Sequence, residues 1–110
     1  SSVMAFDKSN VEAFEDSFVV AYDDSSVRTF DHSSVKAFGN SLVRAFDSAF
    51  VEALDYSSIE AYDNSRVEAD EYATIKAYAN SSIKAFGNVQ VVDFGAKIEI
   101  SDNARIVFGV

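Results

Sequence analysis

The sequence predicts an all-β fold: a single-chain parallel β-solenoid, or β-helix, with a triangular coil of 24 residues made of three octads. Three observations predict it. An eight-residue unit, Ser-x-Val-x-Ala-Phe-Asp-Asn in consensus, recurs from residue 1 to 88, and a fixed short period means one small unit stacked many times. Val or Ile holds the third position in all eleven units, as in Val3, Val35, Ile59 and Ile83, and β-branched residues favour strands. At the outward fourth position, charges read every 24 residues alternate in sign.

Within each octad, Ser-x-Val-x-Ala alternates small or apolar with variable polar residues, the period of a strand with one buried face. Asp, Asn and Ser close the unit. With no Pro and only four Gly, the corners fall to these residues, which tolerate left-handed backbone better than most. The coil length comes from the fourth position. A 24-residue coil gives the columns Glu12-Lys36-Glu60-Lys84, Met4-Arg28-Glu52-Lys76 and Val20-Arg44-Glu68-Val92, whereas 16 residues would set Arg28 on Arg44 and Glu52 on Glu68. Opposite charges facing across strands stabilise and like charges destabilise. The same spacing aligns Asn40, Asn64 and Asn88 and sets Phe18 over Leu42.

Only two clear units lack the sixth-position ring, at Leu54 and Asp70, and these two carry Tyr56 and Tyr72 at position eight. Outward rings would make a large apolar patch, so the rings are expected to turn inward and fill the corners. Residues 1–88 form the repeat domain. Residues 89–110 read as a degenerate final coil or C-terminal cap, with Asp93 in the alanine position and Ser101 in the aromatic one. Deleting one residue near Gly95 restores the phase and sets Ile98 beneath Ile75 and Ile106 beneath Ile83. About four and a half coils result, a stub ~22 Å tall at ~4.8 Å per coil. The first octad already fits the motif, so its strand is expected to be an open edge met by preceding repeats, another domain or end-to-end self-association.

The 110 residues are 48% apolar, which suffices for one continuous core, and the net charge is -9. That field repels phosphate backbones and anionic lipid, and no apolar run is long enough to span a bilayer, so neither nucleic-acid binding nor membrane insertion is expected. Cysteine is absent, which removes disulfides and thiolate metal sites. No motif for nucleophilic, metal or acid–base chemistry stands out, His32 is the only histidine, and no catalytic residue or enzymatic activity is expected. The acids at position seven stack, on the 24-residue coil, as Asp7-Asp31-Asp55 and Asp23-Asp47-Glu71. Local support of the turn is the favoured role; a hard cation, calcium, is the other reading. No cofactor is otherwise implied. Phe18, Val20 and Leu42, with Phe50 near them, form an outward apolar cluster and are the binding candidates.

The strings HSSVKAFGN and SSIEAYDN resemble the octad arrays of β-solenoid segments in bacterial and phage surface proteins, with a looser likeness to hexapeptide-repeat β-helices. The resemblance covers residues 1–88 and is one of repeat type. It implies an extracellular or cell-surface location and a structural role as stalk or spacer within a larger protein. The alternative is an adhesive module that recognises a glycan, a protein or calcium through the outward apolar face or the acidic corners.

Overall fold

The computed structural model describes residues 2–78, 80–101 and 104–108. Fourteen short strands run β1 Ser2–Ala5, β2 Asn10–Ala13, β3 Phe18–Ala21, β4 Ser26–Thr29, β5 Ser34–Ala37, β6 Leu42–Ala45, β7 Phe50–Ala53, β8 Ser58–Ala61, β9 Arg66–Ala69, β10 Thr74–Tyr78, β11 Ser82–Ala85, β12 Gln90–Phe94, β13 Lys97–Ile100 and β14 Arg105–Phe108. All pairing within the sheets is parallel, and the fold is a β-solenoid. Odd-numbered strands make one seven-stranded sheet and even-numbered strands the other. Six steps of ~4.8 Å account for most of the 33 Å long axis.

The coil is therefore two octads, not three. Val3 pairs with Val19, Val19 with Val35 and Val27 with Val43, a register of 16 residues throughout the clean repeats. The triangular 24-residue coil is overturned, and the physical reason lies in the corner. The N–H of the first residue of an octad donates to the carbonyl of the preceding sixth-position residue, as in Ser25 to Tyr22 O at 3.3 Å. This three-residue reach is a β-turn, which reverses the chain. Two reversals close a coil.

Third and fifth positions point inward from both sheets. Val19, Val35, Val43, Val51, Ile59 and Ile75 are buried, and Ala fills the fifth position between them. Each buried Val or Ile contributes about 1.5–3 kcal/mol. From Ser25 onward the first-position serines are also buried, and each must satisfy its hydroxyl. It does so locally: Ser25 Oγ donates to Tyr22 O at 2.8 Å, Ser57 Oγ to Leu54 O at 2.8 Å and Ser65 Oγ to Tyr62 O at 2.8 Å. Thr29, the one hydroxyl at an alanine position, is likewise buried and pairs with Ser33 Oγ.

Residues beyond 88 continue the stack. Up to Phe94 the offset remains 16, with Tyr78 beside Phe94; from Lys97 it is 15, with Ile83 beside Ile98 and Val91 beside Ile106. One residue is indeed missing at this corner, but Ile98 lies beside Ile83, not Ile75. Asp93 serves the shortened turn, its Oδ1 accepting the N–H groups of Gly95 and Ala96 at 2.8 Å each. Gly95 has a φ of 106°, a backbone that a Cβ disfavours.

Candidate functional site

The corners carry what variation the repeat allows. Position seven is left-handed at every acid there, with φ between 56° and 62° from Asp7 to Glu71. That conformation turns its N–H out of the ladder between successive strands. A carboxylate in the next coil takes the N–H: Asp31 N donates to Asp47 Oδ2 at 3.2 Å, Asp47 N to Asp63 Oδ2 at 3.2 Å and Gly39 N to Asp55 Oδ2 at 3.0 Å. The acid thus tolerates left-handed backbone and caps its neighbour. Gly39 and Gly87 hold the same φ region without a side chain. Where Gly87 offers no carboxylate, Glu71 N donates instead to Asp70 Oδ1 at 2.7 Å.

These bonds redraw the acidic columns. Asp7 meets Asp23, not Asp31, and Asp55 meets Gly39 and Glu71; Asp31 and Asp47 belong to the opposite edge. The stacks Asp7-Asp31-Asp55 and Asp23-Asp47-Glu71 do not exist, because octads alternate between edges. Among the described residues, no three or more Asp, Glu or His side chains converge as metal ligands. The Asp55 carboxyl is held below its ordinary pKa, first by the Gly39 N–H and then by Glu71.

The aromatics differ most from expectation. They do not turn inward: alternation continues past the buried alanine and sets them outside the core. Along the even edge, Phe14, Phe30, Phe46, Tyr62, Tyr78 and Phe94 form an unbroken stack with centroids 4.6–5.0 Å apart and planes within 9°. The apolar-patch objection fails because each ring covers its neighbours. Phe14, at the start of the stack, is 50% exposed, and rings further along are half-buried. On the odd edge Phe6, Tyr22 and Phe38 stack in the same way. Leu54 and Asp70 then interrupt the column, and Tyr56 and Tyr72 stack on each other at 5.2 Å.

The outward apolar candidates are divided by the 16-residue coil. Phe18 and Val20 lie on β3 and Phe50 on β7, all in the odd sheet, whereas Leu42 lies on β6 in the other. Phe18 pairs in register with Ser2 and Ser34, and Phe50 with Ser34 and Arg66. No joint face of Phe18 and Leu42 forms. His32 is an exposed corner residue.

Charges at position four settle into local groups. Arg28 lies 3.6 Å from Glu12, and Arg44 Nε 3.3 Å from Glu60 Oε1, although Arg28 and Arg44 are themselves neighbours. Tyr62 donates its hydroxyl to the same Glu60 oxygen at 2.8 Å. Burial, followed by Glu60, pushes the Tyr62 phenol up to about 12. The exposed ring faces at the break in the odd column are the feature that sequence reasoning missed. The signal was present, since Leu54 and Asp70, like Tyr56 and Tyr72, are one coil apart.

Two hollows, about 680 Å³ around Leu42, Glu12 and Arg28 and about 460 Å³ around Phe50, Glu68 and Lys84, are open spaces between outward side chains on the sheet faces. No helix among the described residues is long and apolar enough to cross a membrane. Comparison with family models, with curated proteins and with solved structures finds no match to this chain.

Proposed function

We propose that the chain is a non-enzymatic structural repeat module, a stalk or spacer of a larger extracellular or surface protein. The observation that carries this reading is the constancy of the coil: one 16-residue register, one type of corner and one core composition from β1 to β11. Repeats that contact only their neighbours make a rod whose length scales with their number. Among the described residues, the short corners build no loop-lined cleft of the kind in which catalytic groups converge. The test is to place the chain between two labelled folded domains and measure their separation. A spacer holds a fixed distance set by the 33 Å long axis, unchanged by calcium or salt, and binds nothing on a glycan array. A flexible separation, or calcium-dependent compaction, would sink this reading.

The second reading is a binding module, favoured by the interruption of the odd-edge column. Within a column stacked rings hide their faces; at the break, as at the column ends, they do not. Saturable binding of a glycan or protein partner would establish it and displace the pure spacer.

A further inference from the structure

The odd edge loses two rings in succession, and the space they leave is lined. Phe38 is the last ring stacked from Phe6, Leu54 and Asp70 occupy the next two layers, and Phe86 follows. Tyr56 and Tyr72 sit two residues further along the corner and stack on one another. Phe86 thus has no ring beside it in the Asp70 layer, and it is 38% exposed. The vacated volume is a notch of about 150 Å³ bounded by Leu54, Phe86, Asp70, Glu52 and Glu68. Among the described residues, no ion pair within 4 Å engages Glu52, Glu68 or Asp70, and both pairs found lie on the even sheet.

We propose that this notch is a docking site for a planar cation, the guanidinium of an arginine side chain presented by a partner protein. A flat group one ring thick takes the place of the ring missing at Asp70. Its face lies on Phe86 as a cation–π contact, its stem lies against Leu54, and its N–H groups pair with Asp70 and the adjacent Glu68. Lysine fits less well, because its compact, strongly hydrated ammonium neither stacks nor makes the planar fork. A saccharide would gain one ring face but leave Asp70 without a counter-charge, since Glu52 and Glu68 already lie in register beside Lys36 and Lys84; a cation also complements the net charge of -9. This inference deepens the binding reading and can fail alone, if a partner binds the chain elsewhere.

The test is a titration of the isotope-labelled chain with N-acetyl-arginine amide, followed by amide chemical shifts, with N-acetyl-lysine amide in parallel. Saturable shifts are expected around residues 52–56, 68–72 and 84–88, with the lysine probe several-fold weaker. Asp70→Asn retains an oxygen for the Glu71 N–H and removes the charge; it should weaken binding about fivefold. Phe86→Leu should do likewise with charge unchanged, and Asp47→Asn on the other edge should have no effect. No saturable shift, shifts spread along both acidic edges, equal binding of the two probes, or an Asp70→Asn chain that binds as before would each overturn the proposal.

Discussion

The two edges of the solenoid are built on one core yet differ in what they show to solvent. The even edge carries six rings in a continuous stack, from Phe14 to Phe94. The odd edge starts the same way and then gives two layers to Leu54 and Asp70. Beneath the break nothing changes: Val51, Ala53, Val67 and Ala69 stay buried and in register. The strands and their inward residues therefore define the coil, and the rings are an added layer that can be dropped locally. A site can then be written on one edge without disturbing the other.

The sharpest way to break this comparison is to attack what both edges share. Ile59→Asp puts an unpaired carboxylate where exposure is 1% and should abolish cooperative folding, a loss above about 4 kcal/mol. Val51→Asp, in the other sheet, should be equally damaging. Thermal melts followed by circular dichroism decide; a near-normal melt for either would mean that the shared core is not what holds the coils.

The rings come next. Phe46 stacks on both Phe30 and Tyr62 at 5.0 Å, so Phe46→Ala should cost about 1–3 kcal/mol at about 0.5–1.5 per stacked pair. Tyr56 has, among the described residues, the one stacked partner Tyr72, and Tyr56→Ala should cost under about 1.5 kcal/mol. Equal losses in urea unfolding would contradict the view that the even stack is the more cohesive edge.

At position seven, Asp63 combines a φ of 57° with a bond from Asp47 N. Asp63→Ala should lose about 1–2 kcal/mol, since it forfeits both left-handed tolerance and the acceptor. Asp63→Gly loses only the acceptor and should be the milder change. If alanine matches glycine, the backbone conformation is not what selects the acid.

Titration separates the edges most finely. On the odd edge, Asp55 is held below its ordinary value by Gly39 and Glu71. Its contribution is complete above an unfolded pKa of ~3.9 and is lost as pH falls through the lower folded value. On the even edge, Tyr62 is raised from 10.0 to about 12. The folded state keeps that proton after the unfolded chain has released it, so stability falls as pH rises from 10 towards 12. Asp55→Asn should flatten the acid limb of melting temperature against pH, and Tyr62→Phe the alkaline limb. A swap of these effects would refute the assignment.

The parallel solenoid was legible because Val and Ala at fixed octad positions carry the core, and buried apolar residues cannot be rearranged cheaply. The number of octads per coil was not legible from charge. Arg28 beside Arg44 and Glu52 beside Glu68 are tolerated: the arginines reach to opposite charges, Arg28 to Glu12 and Arg44 to Glu60, and the glutamates have Lys36 and Lys84 in register on their other sides. Such exposed pairs are worth about 0–1 kcal/mol, too little to choose a register. Stacked rings are worth more, and the paired departures at Leu54 and Asp70, and at Tyr56 and Tyr72, mark the true coil. That Asp tolerates the left-handed backbone of the turn was legible from residue type; the expected local hydrogen bonds are replaced by bonds between coils. That the carboxylates reach into the neighbouring coil was not legible, since it depends on which octads are adjacent.

The shortened corner at Gly95 has a wider consequence. Sixteen residues separate partners before it and fifteen after it, and both sheets resume pairing as though nothing had been removed. Length is thus rigidly specified along a strand and loosely specified at a bend, where an Asp93-capped glycine absorbs the shortfall. A scaffold with this division of tolerance is suited to grafting. Peptides inserted at successive bends of one edge would be displayed at intervals of ~4.8 Å, a ruled surface on which the pitch is inherited and the cargo is free to change.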